Sequence, residues 1–114
     1  MNGKMYYNCL GTLVADPEKI ESAGKDGLVK FRLAWNEKRK DEQIASFANF
    51  ECWSGYLNEQ IMKFFTKGKS VHVRGSMIED SYEDKNGNNV KSYRFRVEGF
   101  DFLPDRKSGE DAPF

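Results

Sequence analysis

Metal ligands and crosslinking residues are scarce in this 114-residue chain. It has one histidine, His72, and two cysteines, Cys9 and Cys52, and no Cys/His pair shows the spacing of zinc ligands. A glycine-rich phosphate-binding loop is also missing. Both cysteines lie within apolar strand patterns, so we expect reduced core thiols and no disulfide. The sequence therefore predicts neither a metal nor a cofactor.

Long apolar runs and net charge are missing as well. No segment approaches the ~20 apolar residues of a membrane span, and the N-terminal residues lack the apolar core of a secretory signal, which predicts a cytoplasmic protein. The 18 basic side chains equal the 18 acidic ones. Residues 105–114 carry two basic and three acidic side chains, which leaves 16 basic and 15 acidic ones in residues 1–104. A phosphate-binding surface would therefore need local clustering of cations rather than bulk charge.

Aromatic residues are plentiful by contrast, at 14% of the chain, and a group of them lies in residues 44–53. Side chains on a strand alternate between faces, so Phe47 and Trp53 share one face with an amide and a carboxylate between them. The opposite, core-like face carries Ala48, Phe50 and Cys52. A polar face with two large aromatic rings suggests stacking on a flat partner, most often a nucleobase. Cover by a loop or by a neighbouring subunit is the alternative, and it stays open.

Alternation and turn residues divide the chain into strands. We predict Met5–Val14, Val29–Asn36, Ile44–Trp53, Ser70–Ile78 and Val90–Leu103. Gly11 and Gly99 predict bends that would curl a sheet into a small barrel. A polar segment, Glu37–Gln43, links two of the strands, and the Asn86-Gly87 dipeptide predicts the tip of a hairpin.

One helix is predicted between the third and fourth of these strands. Its apolar stripe is Leu57, Ile61, Phe64 and Phe65. Ser54 is a candidate N-cap and Gly68 a stop. The order β-β-β-α-β-β is that of a five-stranded OB barrel, an all-β fold with one small helix. We expect this domain to cover residues 1–104 and the aperiodic residues 105–114 to form a disordered tail.

From Met5 to Leu103 the chain resembles the bacterial and phage single-stranded DNA-binding proteins. The matching segments are Leu10-Gly11, Asp16-Pro17-Glu18, Phe31-Arg32-Leu33-Ala34, Phe47–Trp53, Lys67-Gly68-Lys69-Ser70, Val73-Arg74-Gly75 and Ser81-Tyr82. The last five residues also look like the family's acidic tip ending in Pro-Phe. The resemblance implies sequence-independent binding and protection of single-stranded DNA in replication, recombination or repair.

The resemblance also implies which aromatic residues stack on bases. Phe47, Trp53 and Tyr82 match three such family positions. A fourth family aromatic is replaced by Arg39, whose guanidinium could stack on a base and contact phosphate. Trp35 lies on the apolar face of its strand, so packing in the core or at the barrel rim is favoured over base contact.

Basic side chains interleave with these aromatic residues. Family arginines that precede the hairpin are replaced here by Ile78, Glu79 and Asp80. The candidate phosphate contacts are Lys30, Arg32, Lys38, Arg39, Lys40, Arg74, Lys91, Arg94 and Arg96. Each could equally belong to a merely solvated face, whereas together they fit a groove that follows a nucleic-acid backbone.

The C-terminal tip is a candidate partner-binding element. Glu110, Asp111 and the terminal carboxylate give three negative charges beside Pro113 and Phe114. This combination suits a partner pocket with an apolar floor and a basic rim. The resemblance implies replication, recombination or repair proteins as partners, and a homotetramer whose contacts are compatible with burial of Tyr6, Tyr7 and His72.

An enzymatic function is the least favoured hypothesis for this sequence. Its carboxylate pairs, such as Asp41-Glu42 and Glu79-Asp80, are adjacent in sequence and would face opposite ways on a strand. A protein-interaction subunit of a primosome-like assembly is the main alternative function, and an oligosaccharide-binding OB domain is more remote.

Overall fold

The computed structural model describes residues 1–104. Six strands and one helix follow in chain order within this range. They are β1 (Met5–Leu13), β2 (Glu18–Ile20), β3 (Leu28–Arg39), β4 (Glu42–Cys52), α1 (Gly55–Phe64), β5 (Ser70–Glu83) and β6 (Asn89–Phe102). With ten residues, α1 is too short to cross a membrane, and it is the one helix among the described residues. The predicted tail and its tip lie outside the described residues.

Five of the strands close into a ring, which confirms the predicted OB barrel. The sheet order is β1-β5-β6-β4-β3-β2, and β1 also pairs with β3 through Thr12 and Leu13. Strands β4 and β6 are parallel neighbours that pair at Phe50–Phe95 and Glu51–Arg96. The predicted helix connects β4 to β5, and the short β2 lies outside the ring on the edge of β3.

The core lies inside the barrel and is capped by the helix. The predicted core face of β4 is confirmed, since Phe50 and Cys52 are buried and Ala48 packs against them. Phe31 stacks on Phe50 with their ring centroids 5.4 Å apart. Burial of such aromatic and aliphatic surface supplies most of the stabilisation, at roughly 25 cal/mol per Å² of apolar area.

The helical stripe is confirmed at Ile61 and Phe65, whereas Phe64 is 42% exposed. Phe64 therefore belongs to the predicted apolar stripe but does not pack in the core. The helix buries Asn58 instead, whose side-chain amide donates to the carbonyl oxygens of Asp26 and Gly27, 3.4 and 3.2 Å away. A polar residue that is hydrogen-bonded to the loop before β3 thus takes a core position that apolar periodicity could not indicate.

Two connections differ from the sequence expectation. The polar segment 37–43 is not a link, because β3 continues to Arg39 and β4 starts at Glu42. Only Lys40 and Asp41 turn the chain, and Lys40 takes a positive φ of 55°. The region before β3 contains the short strand β2, which pairs with Leu28–Lys30 and had no pattern of its own.

Candidate nucleic-acid interface

The outer face of β3 and β4 brings together Arg32, a predicted phosphate contact, and Phe47, a predicted stacking residue. The antiparallel register places Arg32 opposite Asn49 and Ala34 opposite Phe47. Arg32 reaches diagonally across, so that its guanidinium carbon lies 4.6 Å from the Phe47 ring centroid. Phe47 remains 47% exposed. An aromatic ring next to a cation is thus presented on the surface of the sheet.

Trp53 is positioned by a carboxylate. Its indole N–H donates to Glu51, which is only 9% exposed. The ring also packs on the turn at Gly24, where an added Cβ would lie 3.1 Å from two of its carbons. Trp53 is consequently half-buried and fixed in orientation, with a loop covering part of it.

Arg94 completes a network around the same carboxylate. Its Nη1 lies 3.3 Å from Glu51 Oε2, and its Nε donates to Asp80 Oδ2 over 2.6 Å. The hydrogen bond to Asp80 and then the charge of Glu51 raise the pKa of Arg94. Two carboxylates therefore hold one guanidinium, and part of its charge is already compensated.

An open groove of about 550 Å³ is lined by Arg32, Glu51 and Arg94, whereas Phe47 and Trp53 lie outside its lining. Phe31, Phe50 and Phe95 supply apolar lining, and Lys30 and Arg32 add cations. Further lining comes from Ala15, Asp16, Glu18, Asn49, Glu51, Tyr93 and Arg94. Apolar surface suits the bases of a single-stranded nucleic acid, and the neighbouring cations suit its phosphates.

The β3–β4 hairpin carries Trp35 and the three consecutive cations. Trp35 Nε1 donates to Glu37 Oε1 over 3.1 Å, and Arg39 donates to Glu37 Oε2 over 3.2 Å. These two hydrogen bonds, from Trp35 first and Arg39 second, hold the pKa of Glu37 below its usual value. Lys38 and Lys40 are exposed at the turn. Trp35 is half-buried on this hairpin.

The second hairpin, β5–β6, carries Tyr82. The ring is 56% exposed, and its residue lies opposite Val90. Lys91 lies one position further along β6 and pairs with Glu79 at 3.4 Å. Tyr82 therefore presents an aromatic surface on an arm that extends beyond the ring of strands.

Of the nine predicted cations, Lys30, Arg32 and Arg94 line the groove, and Arg74 and Arg96 are among the six that do not. Arg74 pairs with Asp101 at 2.9 Å and lines a separate concavity with Tyr6, Tyr7 and Glu98. Arg96 lies opposite Ser76, and its Nε is buried without a hydrogen-bond partner in the described part of the chain. Neither side chain lines the groove.

Comparison with known proteins agrees with this architecture. Residues 8–103 match the Single-strand binding protein family. A single-stranded DNA-binding protein of Clostridium perfringens is 33% identical over 101 residues, which cover 88% of this chain and 66% of that relative. The chain belongs to the single-strand binding protein family. It spans slightly less than two thirds of the length of this relative.

A solved structure shares the fold of this family member. The crystal structure of the mitochondrial single-stranded DNA-binding protein Rim1 from S. cerevisiae superposes with a TM-score of 0.75, covering 92% of this chain and 100% of that one. Its sequence identity is 12%, so the likeness concerns the fold. The family resemblance and the OB fold inferred from the motifs are both confirmed.

Ion pairing divides the predicted cations of this family member into two groups. Arg39, Arg74, Lys91 and Arg94 form ion pairs with carboxylates. No carboxylate of residues 1–104 lies within 4.0 Å of Lys30, Arg32, Lys38, Lys40 or Arg96. The uncompensated charge near the groove thus comes chiefly from Lys30 and Arg32, with Lys38 and Lys40 at the hairpin turn.

Two side chains at the groove were not singled out from the sequence. Tyr93 lines it and is 51% exposed, although strand alternation groups Tyr93 with the apolar Phe95 and Val97. Glu51 organises Trp53 and Arg94, although a lone carboxylate between aromatic residues gave no sign of that role. The contact of Glu51 with Arg94 depends on β4 and β6 becoming neighbours in the sheet, which no pattern within one strand indicates.

Proposed function

We propose that this protein binds single-stranded DNA without sequence preference and protects it in the cytoplasm during replication, recombination or repair. The observation that carries the proposal is an open groove in which the uncompensated cations Lys30 and Arg32 lie beside exposed aromatic rings. Membership of the single-strand binding protein family supports it. The groove offers stacking surfaces and cations, which are the two components of sequence-tolerant strand binding.

In this proposal the aromatic residues stack on bases, and the cations follow the phosphates. Phe47, Trp53 and Tyr82 are the stacking residues, with Trp35 a further base contact on the β3–β4 hairpin. Every base has a π-face, so stacking discriminates little between sequences. The proposed phosphate contacts are Lys30, Arg32, Lys38, Arg39, Lys40, Arg74, Lys91, Arg94 and Arg96. We expect those that already hold a carboxylate to contribute less than Lys30 and Arg32.

Titration with labelled oligo-dT, followed by tryptophan fluorescence, tests the proposal. We expect binding at low salt with quenching of Trp53, and a logarithm of the association constant that falls linearly with the logarithm of salt concentration, by roughly 0.7 per phosphate contact. Oligo-dC and a mixed sequence serve as controls and should bind within about tenfold of oligo-dT. Absence of binding at low salt would refute the function.

We further propose that the protein assembles as a homotetramer. Tyr6 and Leu10 are exposed apolar side chains on β1, and next to them Asn8 hydrogen-bonds to His72 at 3.0 Å. Such a surface suits contact with another copy of the chain. Sedimentation at micromolar concentration tests this, and a monomer alone would contradict it.

The C-terminal tip, in this proposal, recruits replication, recombination or repair proteins. The support is its composition, with Glu110 and Asp111 beside Pro113 and the terminal Phe114. Deleting Pro113 and Phe114 should abolish capture of such partners, because the partner loses the ring that it would remove from water. Oligo-dT affinity, measured on the same truncated protein, should be unchanged or slightly higher, since an acidic tail competes with DNA for cations. Partner capture that persists after the deletion would show that the tip is not the recruiting element.

A further inference from the structure

A second group of lysines and aromatic rings lies where the helix meets the end of β6. This lysine–aromatic patch consists of Lys63, Phe64, Lys67, Lys69 and Phe102. Phe64 and Phe102 pack edge to face with their ring centroids 6.0 Å apart, and they are 42% and 43% exposed. Lys63 Nζ lies 5.4 Å from the Phe64 centroid, and Lys69 Nζ lies 4.8 Å from the Phe102 centroid. Two half-exposed rings therefore each carry a cation.

None of the three lysines of the patch forms an ion pair within residues 1–104. No carboxylate within residues 1–104 lies within 4.0 Å of Lys63, Lys67 or Lys69. Lys4 provides the contrast, because it lies 5.7 Å from the Tyr6 ring centroid but also pairs with Glu98 at 3.1 Å. Free cations beside half-exposed rings suit a ligand that is both anionic and flat.

The patch adjoins the groove at Asp16. The loop after α1 packs on the end of β1, since the Leu13 N–H donates to the Lys69 carbonyl over 2.9 Å and the Gly68 N–H to the Leu13 carbonyl over 2.8 Å. The backbone N–H of Lys67 donates to Asp16 Oδ1 over 2.8 Å. Asp16 itself lines the groove. A DNA strand that leaves the groove at Asp16 would therefore meet Lys67 first and then the rest of the patch.

We propose that the lysine–aromatic patch is a second binding site for the same single strand, occupied by nucleotides that leave the groove past Asp16. This inference rests on the proposed function and extends the path of the bound DNA beyond the groove. Lys63, Lys67 and Lys69 contact phosphates there, and the Phe64–Phe102 pair offers a base a stacking surface. Phe102 is held by ring contacts to Phe65 and Phe100, so the surface is preorganised.

Strand length separates the two sites experimentally. One OB fold holds about 4–16 nucleotides, so an oligo-dT of about eight should fill the groove alone, and one of about 30 should reach the patch. The test is anisotropy titration of the full chain carrying K63Q, K67Q and K69Q together. Affinity for the long strand should fall roughly tenfold, with a salt slope lower by about 2, because three phosphate contacts contribute about 0.7 each. Affinity for the short strand should stay within about twofold.

Phe64→Leu tests the stacking part with little risk to folding. Leucine keeps apolar contact with Phe102 but has no π-face, so long-strand affinity should fall roughly fivefold while short-strand affinity is unchanged. Lys4→Gln is the matched control, since Lys4 also lies over a ring but is ion-paired, and it should change neither affinity.

Three results would overturn the proposal. Equal effects of the triple substitution on both strand lengths would show that the patch is no separate site, and no effect on either would show that DNA does not reach it. If deleting residues 105–114 raises long-strand affinity in the native protein but not in the triple variant, the patch holds the chain's own acidic tail. A native protein that fails to bind even the short strand would instead refute the proposed function itself.

Discussion

Glu51 is a nearly buried carboxylate in a groove that is also lined by Lys30, Arg32 and Arg94. It lies opposite Lys30 on β3 and opposite Arg96 on β6, accepts the indole N–H of Trp53, and pairs with Arg94. Its charge works against a phosphate, while its hydrogen bonds orient the stacking residue. The position therefore balances geometry against electrostatics, a common arrangement where a site must be preorganised.

Glu51→Gln separates these two contributions. Glutamine keeps an acceptor for Trp53 and removes the charge that competes for Arg94, so oligo-dT affinity at low salt should rise by about threefold, with a salt slope steeper by about 0.7. Melting temperature should fall only modestly, because Glu51 loses its ion pair while Arg94 is half-exposed and keeps its pair with Asp80. Glu59→Gln, at an exposed position on α1, is the control. Weaker binding by Glu51→Gln would mean that the orientation of Trp53 depends on the negative charge.

Phe47→Ala should weaken oligo-dT binding by roughly tenfold, because stacking on an aromatic ring is worth about 1–3 kcal/mol per base. The ring is 47% exposed, so the thermal midpoint should change little. Tyr56→Ala is a suitable control, since Tyr56 is an exposed aromatic on α1 outside the groove. Anisotropy and circular dichroism on the same samples check both statements. A large loss of stability in Phe47→Ala would show that the ring packs in the core.

Strand alternation was enough to place Phe47 on the outer face and Phe50 in the core. It could not reveal the ion pairs of Arg94 with Asp80 and Glu51, because these depend on how three separate strands align. The sequence therefore indicated the faces on which Phe47 and Phe50 lie, but not which cations are ion-paired.

The long hairpin β5–β6 bends at a bulge. Arg74 lies opposite Gly99 and Gly75 opposite Val97, so Glu98 has no partner across the strands. Gly75 is required there, because an added Cβ would lie 1.8 Å from the Arg96 carbonyl oxygen. The sequence predicted a bend at Gly99, and the bulge lies beside it.

Gly75→Ala should destabilise the protein by about 3 kcal/mol or more, since backbone must shift to accommodate the methyl group. Chemical denaturation followed by circular dichroism measures this loss. Gly3→Ala is the control, because nothing lies within 4 Å of a Cβ added at Gly3. Native-like stability in Gly75→Ala would show that the bulge can move to another residue at little cost.

Elements with long periodic patterns were predicted well, whereas the short strand β2 and the polar ends of β3 and β4 were not. The helix and the five ring strands have their own alternation or apolar stripe. Strand β2 has three residues and exists through its pairing with β3, so only tertiary contact defines it. The polar ends of β3 and β4 pair with each other beyond the barrel, which hides them from any search for apolar periodicity.

The whole molecule is neutral, so its stability should depend on pH through individual groups. Hydrogen bonds from Trp35 to Glu37, and from Ser76 and Lys4 to Glu98, lower the pKa of these two carboxyls. Their contribution is present above the ordinary value of 4.5 and is lost as pH falls through the lowered values. Burial raises the pKa of the Cys9 thiol from 9.0 to about 11, and that contribution is present below 9.0 and lost as pH rises through about 11.

We therefore expect the melting temperature to be highest between these limits and to fall on both sides of them. Burial also raises the pKa of Tyr7 and Cys52, which steepens the alkaline fall. Thermal melts across pH measure the profile, and Cys9→Ala should flatten the alkaline side by removing one of the titrating groups. An alkaline side that is unchanged in Cys9→Ala would assign the effect to Tyr7 and Cys52.

The parallel seam between β4 and β6 has a consequence for how the barrel opens. The hairpins join residues that are close in the chain and can form early. The seam instead joins Phe50 to Phe95 and Glu51 to Arg96, which are each 45 residues apart in sequence. A short, non-local seam is where a ring of strands should separate first, exchanging its amide protons faster than the hairpins. Phe50, Glu51 and Phe95 also line the groove. A DNA strand bound in the groove would hold β4 and β6 together. Hydrogen exchange at Glu51 and Arg96 should therefore slow when oligo-dT is added, and it should slow more the more tightly oligo-dT binds the closed barrel.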